Sequence, residues 1–251
     1  MRLNLRVIIG LVIAAVTLFG YFFNTSTNPV TGEKQHVNMS AAQEVALGLQ
    51  AAPQMAAEYG GESPDARATA AVQQVGQRLV AANNLAQKTS YLYQFHLLAD
   101  DQTINAFALP GGQVFITMGI LKNLKTEAEL AGVLAHEIGH VVGRHSAEQV
   151  AKSQLTQGLT GAAAMIAKLV SLRFSRNDEL AADDFAVKFT PAAGYDPRAM
   201  INVMQMLNQQ GGGSNPPEFM STHPNPGNRI EELQKDIQQA YPQGVPAGLK
   251  P

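Results

Sequence analysis

Residues 136–140 read His-Glu-Ile-Gly-His. On a helix, positions i and i+4 share one face about 6 Å apart, so both imidazoles can converge on a single metal ion. Glu137 lies about 100° round the helix from His136. It is better placed to take a proton from water beside the ion than to bind the ion itself. Chance would produce this pattern in roughly 0.007 chains of this composition. Leu130, Val133, Leu134, Val141 and Val142 make the surrounding helix apolar nearly all round, hence buried. Two buried histidines and a buried glutamate are costly without partners, and a metal supplies them. One Zn2+ per chain is therefore expected.

A catalytic zinc needs a third protein ligand and an open position. One known arrangement places a third His at the end of H-E-x-x-H-x-x-G-x-x-H. Gly143 fits its glycine, but Ser146 stands at the final position and His145 is one residue early. His145 therefore reads as a satisfied structural histidine. The other arrangement brings an acid from a later helix, with Glu148, Asp178, Glu179, Asp183 and Asp184 as candidates. Glu148 follows His140 too closely to fold back. Glu179 is the better ligand, on a helix that Ser175 caps and whose apolar face carries Phe185, Ala186 and Phe189. Asp183 lies at i+4 from Glu179, on the same face. It is placed to accept a hydrogen bond from a ligand histidine and fix its tautomer.

Several elements must hold these residues. Ser40 and Gln43 form a capping-box pattern, and an Ala-rich helix follows to about Tyr59. A second helix starts at Ser63-Pro64-Asp65 and runs to about Asn84. Tyr91 to Leu98 alternates as a strand. Asn105 to Leu109 and Gln113 to Thr117 read as a hairpin about Pro110-Gly111-Gly112. Helix predominates from Thr126 onward, with Thr126 as cap and Glu127 and Glu129 in the first turn. Residues 211–226 form a long Gly/Pro/Asn-rich loop. The expected fold is α+β, mostly helical with a small antiparallel sheet.

The chain has 251 residues, 45% hydrophobic and 15% charged, which suits a sizeable core and excludes a wholly disordered chain. A net charge of -2 argues against a nucleic-acid partner. The absence of cysteine removes disulfides, thiolate metal sites and Cys nucleophiles. Val7 to Phe23 is an apolar run of 17 residues behind Arg2 and Arg6. As a helix it spans about 25 Å. It reads as an uncleaved membrane anchor or a cleaved signal sequence, and its bulky Tyr21-Phe22-Phe23 end suits an anchor. The expected organisation is an anchor or signal over residues 1–23, a linker over 24–39 and a catalytic domain over 40–251. Residues from about Asn24 onward would then be extracytoplasmic or periplasmic, tethered to the inner membrane or secreted.

Four ordered stretches carry a resemblance: Asn105 to Gly112, His136 to His140, Ser175 through Glu179 to Asp183, and Ser221-Thr222-His223-Pro224 leading to Arg229-Ile230. Together they resemble the membrane-associated zinc metallopeptidases that include HtpX, the CAAX prenyl proteases, BepA and LoiP. The resemblance is to a single-domain member with a peptide anchor. It implies a zincin-like, gluzincin-type endopeptidase with His136, His140 and Glu179 on zinc and Glu137 as base. It also implies a working role for His223, either stabilising the oxyanion or occupying the open zinc position as a latch. Asn105, Ala106, Phe107 and Ala108 are then expected to form an edge strand that pairs with an extended protein or peptide substrate, misfolded envelope proteins among them. Arg229 would pair with a buried acid. A membrane-tethered, chaperone-like binding module remains the alternative, as does a zinc hydrolase of non-peptide amides.

Overall fold

The computed structural model describes residues 25–158, 160–211, 216–224 and 227–251. The apolar run Val7–Phe23, with its reading as anchor or signal, lies outside the described residues. Among the described residues, no helix is long and apolar enough to cross a membrane.

Among the described residues the first elements are two short antiparallel strands, β1 (Ser26–Thr27) and β2 (Lys34–Gln35). Helix α1 (Ala41–Glu58) follows, started by the expected capping box between Ser40 and Gln43. Helix α2 (Ala66–Ala82) starts at Asp65, whose carboxylate accepts from the Arg67 and Ala68 N–H groups. A short helix, α3 (Leu85–Thr89), leads to strand β3 (Gln94–Leu98). Strands β4 (Ala106–Leu109) and β5 (Gln113–Thr117) form the expected antiparallel hairpin, and α4 (Met118–Leu121) closes this half.

The rest is helical. Helix α5 (Glu127–Val142) is capped by the Thr126 hydroxyl, which accepts from Glu129 N–H. Then come α6 (His145–Gln157), α7 (Ala162–Val170) and α8 (Arg176–Ala192), the last begun by a Ser175–Asp178 capping box. Helices α9 (Ala199–Gly211), α10 (Glu218–Thr222) and α11 (Arg229–Ala240) complete the fold.

The α+β, mostly helical class is as expected, with one correction to the sheet. It is mixed rather than antiparallel, in the order β3-β5-β4, because β3 runs parallel to β5. Residues 99–105 cross over after β3, so β4 enters on the far side of β5 and becomes an edge strand. Alternation identified β3 as a strand but carries no information about its neighbour.

Helix α5 is the central element. Every residue after Glu127 is buried, between β4, α2, α8 and α9. Its approach to α8 is close because a β-carbon at Gly139 would stand 3.0 Å from the Ala182 backbone. Gly139 thus lets two helices that carry site residues meet almost backbone to backbone.

The segment expected as a linker is folded instead. Asn28 donates to the Val142 carbonyl (2.7 Å) and Gln35 to the Gly143 carbonyl (2.5 Å). The β1–β2 hairpin therefore satisfies carbonyls at the C-terminal end of α5 that no helical N–H can reach.

Candidate active site

Three elements deliver the polar cluster: α5 supplies His136, Glu137 and His140, α8 supplies Glu179 and Asp183, and His223 closes α10. His223 was expected on an irregular loop. It instead ends a short helix within that stretch, its N–H bonded to the Phe219 carbonyl (2.8 Å). Phe219 stacks on the His223 ring at 4.3 Å, and Phe174 stacks on His140 at 3.9 Å.

The donors face one another. His136 Nε2 lies 3.1 Å from His140 Nε2 and 3.4 Å from His223 Nδ1. Glu179 Oε1 lies 3.1 Å from His223 Nδ1 and 3.5 Å from His140 Nε2. One ligand atom from each of these four residues falls within 4.8 Å of every other, and all four residues are buried. Tetrahedral zinc with bonds of about 2.0–2.1 Å separates its ligand atoms by about 3.3 Å. The residues present fit a metal ion.

Charge points the same way. Glu137, Glu179, Asp183 and Arg229 are each at most 1% exposed. Ionised, these three carboxylates and one guanidinium leave two negative charges buried, which a divalent cation would cancel. Both Glu137 oxygens and His223 Nε2 are buried without a hydrogen-bond partner. Burial pushes the Glu137 carboxyl up from its ordinary value. Burial acts on Glu179 as well, but His223, His136 and His140 outweigh it and hold that carboxyl well below the usual range.

Asp183, expected to accept a hydrogen bond from a ligand histidine, faces His136. Its Oδ1 lies 2.9 Å from His136 Nδ1, which leaves His136 Nε2 to face the cluster. Arg229 grips Asp183 through two nitrogens, at 2.7 and 2.8 Å. Its Nη1 also stands 2.7 Å from Glu179 Oε2, an ion pair that is not aligned as a hydrogen bond. The buried acids that Arg229 serves are thus Asp183 and Glu179, a choice that sequence spacing left open. Burial would raise the Asp183 carboxyl, yet Arg229 and His136 lower it. Burial would likewise lower His136, yet Asp183 and Glu179 bring it up to about 9. His140 has no carboxylate on its Nδ1, and burial takes it well below its ordinary value.

The four strand residues do not act alike. Thr117 N–H bonds the Asn105 carbonyl at 3.0 Å. Antiparallel alternation from that pair turns the main chain of Phe107 toward β5 and that of Ala106 and Ala108 away from it, where both residues are buried and the Ala108 carbonyl accepts from the Ser146 hydroxyl at 3.5 Å. Asn105 is occupied elsewhere, its amide donating to the Tyr59 hydroxyl (3.0 Å) and Glu218 Oε1 (3.2 Å). It ties α10 to α1 instead of offering main chain at the edge. The Phe107 side chain lines a cleft of about 420 Å3 beside His223, together with Met55, Tyr59, Leu169, Leu172 and Phe174. Phe174, which no motif marked, also joins its N–H to the Thr222 carbonyl at 3.0 Å. Glu148, Asp178 and Asp184 are absent from the four-residue donor group.

The sequence of this chain matches the model of peptidase family M48 over residues 66–237. It is 32% identical to the beta-barrel assembly-enhancing protease of Yersinia pestis, across 85% of this chain and 48% of that protein. It is 29% identical to the Escherichia coli K12 protein of the same name, across 95% of this chain and 53% of that protein. It is 30% identical to the mitochondrial metalloendopeptidase OMA1 of Schizosaccharomyces pombe, across 93% of this chain and 72% of that protein. The chain spans about half the length of the beta-barrel assembly-enhancing proteases it matches. With a family model covering well over half of its residues, the chain belongs to peptidase family M48.

Proposed function

We propose that this protein is a zinc-dependent endopeptidase that cuts extended protein chains on the outer side of a membrane. The convergence of His136, His140 and Glu179 beside an unpaired, buried Glu137 carries this reading. Zinc bound there would supply Lewis acidity to water and to the scissile carbonyl. Glu137 takes the proton from that water and delivers it to the leaving amine. Burial, which favours the protonated carboxyl, suits a base that must hold the proton between those two events. The main-chain groups of Ala106 and Ala108 that face away from β5 pair with the substrate backbone, which takes the place of the Ser146 hydroxyl on the Ala108 carbonyl, and the cleft under Phe107 receives one of its side chains.

His223 supports two roles. Its Nδ1 stands among the metal-facing donors, which favours a latch that fills the open position. Its Nε2 lies 3.7 Å from Glu137 Oε1, which favours a stabiliser of the developing oxyanion once the ring has swung off the metal. A His223→Ala variant that cuts faster supports the latch, and one that cuts far more slowly supports the stabiliser.

The role we propose is envelope protein quality control, with misfolded envelope proteins as substrates; relatives named for enhancing beta-barrel assembly are in keeping with it. The apolar run behind Arg2 and Arg6 supports inner-membrane tethering with a periplasmic catalytic domain. The test is metal content and casein cleavage on untagged full-length protein. About one zinc per chain, lost on Glu179→Ala, together with cleavage lost on Glu137→Gln, is expected. A folded protein that takes up no zinc, or a Glu137→Gln variant that still cuts, would sink the reading. Substrate capture that persists in Glu137→Gln without cleavage in either protein would favour the chaperone-like alternative.

A further inference from the structure

Three consecutive residues after the metal-facing turn of α5 are arranged around a single contact. His145 Nδ1 lies 2.9 Å from His140 Nδ1, with both rings buried. Gly143 makes room for it, since a β-carbon there would overlap the His145 ring. Arg144 adopts a left-handed backbone (φ 58°), which turns the chain so that His145 begins α6 facing back onto α5. That conformation is strained for a non-glycine residue and persists only where the surroundings enforce it. They do so here: the Arg144 guanidinium is fixed by Glu44, the Ser26 hydroxyl and the Met39 carbonyl. Strain held this firmly, next to a metal-facing histidine, points to use.

We infer that His145 is a positioning residue that sets the tautomer of His140. The inference rests on His140 being a metal ligand. His140 Nδ1–H donates to the lone pair on His145 Nδ1, which leaves the lone pair of His140 Nε2 pointing into the donor cluster. The opposite arrangement would place a proton on His140 Nε2, 3.1 Å from His136 Nε2, and close the site to a cation. His145 must then carry its own proton on Nε2. The His145 ring also lines a cleft with Glu148, Gln149, Lys152, Ser175 and Asp178, and its Nε2 is the ring atom nearest to Gly143. The two metal-facing histidines are thus oriented by different means: His136 by a carboxylate that Arg229 neutralises, His140 by a neutral imidazole. A neutral partner adds no further charge to a cluster that already holds three buried carboxylates.

The test is zinc affinity of the full chain, read by competition with a chromophoric chelator, for wild type and for His145→Ala, His145→Leu and His145→Asn. Asparagine branches at Cγ as histidine does, so its Oδ1 takes the place of Nδ1 as acceptor. His145→Ala and His145→Leu should weaken zinc binding about 10–100-fold, and His145→Asn should recover it to within a few-fold of wild type. Unchanged affinity in the alanine and leucine variants, or an equal loss in all three, would overturn the inference. A second readout needs no variant: long-range 1H–15N spectra of zinc-loaded wild type should show His140 protonated on Nδ1 and His145 on Nε2. The reverse assignment would also overturn it. Wild type that binds no zinc would defeat the metal reading itself, a result distinct from a zinc site indifferent to His145.

Discussion

Glu137 carries two buried carboxylate oxygens with no donor within reach. A structural acid would not be left so, since an unpaired buried acceptor costs about 1–3 kcal/mol. A base waiting for a water proton would. Glu137→Gln keeps the shape and removes the basicity, so cleavage should fall by roughly 10²–10⁴-fold while zinc content stays at wild-type level. Loss of zinc along with cleavage would make Glu137 a ligand instead. Arg229 poses the converse case, a buried cation on which two acids depend. Arg229→Leu should cost about 3–5 kcal/mol, read as a lower urea midpoint, because it strands the charges of Asp183 and Glu179. Arg229→Lys should recover little, since an ammonium cannot make the two-nitrogen grip. That His136 and His140 share one helix face, and Glu179 and Asp183 another, was legible in the sequence because helical periodicity fixes it; that the two faces would meet was an expectation reached by elimination among the later acids. The partners of Arg229 and the use of His145 were not legible. Each joins residues on different elements, whose juxtaposition depends on how the chain turns.

At the scale of elements, the surprise lies just before α1. Two-residue strands show no periodicity, so residues 24–39 look like a linker. Yet their hairpin supplies side-chain donors to the last carbonyls of α5 and holds Arg144 through Ser26 and Met39. A chain beginning at Ser40 would retain the whole stretch matched by the family model, residues 66–237. It should still be less stable than one beginning at Thr25 by at least about 2 kcal/mol, since two buried carbonyls lose donors worth about 1–3 kcal/mol each. Metal bound at the donor cluster should also dissociate faster, because Arg144, beside His145, loses its contacts to Ser26 and Met39. Equal urea midpoints and equal zinc retention would show the hairpin to be dispensable. The parallel pairing of β3 escaped prediction for a related reason. Alternation reports which face of a strand is apolar, and both faces of these short strands are largely covered.

For the molecule as a whole, the donor cluster joins parts of the chain that are otherwise held very differently. Helices α5 and α8 pack along their length around Gly139 and belong to the core whatever the metal does. Helix α10 has five residues, too few to persist on its own. Beyond the Phe219 side chain, which is buried in the core, it is held by few hydrogen bonds: Phe219 N–H to the Ile104 carbonyl (3.1 Å), the Thr222 carbonyl to Phe174, and Glu218 to Tyr59 and Asn105. Removing zinc should therefore act unevenly. Loss of a ligand that binds only the folded state lowers global stability, by about 4 kcal/mol if the metal had been present at a thousandfold over its dissociation constant. Local opening should concentrate where His223 would lose its partner. Hydrogen exchange of chelated against zinc-loaded protein should show the amides of Phe174, Phe219 and His223 exchanging much faster, while the middle of α5 stays protected until global unfolding. A uniform rise across all helices would mean that the metal stabilises the fold without holding α10 in particular. Unchanged exchange at α10 would remove His223 from the metal's grasp and leave oxyanion stabilisation as its role.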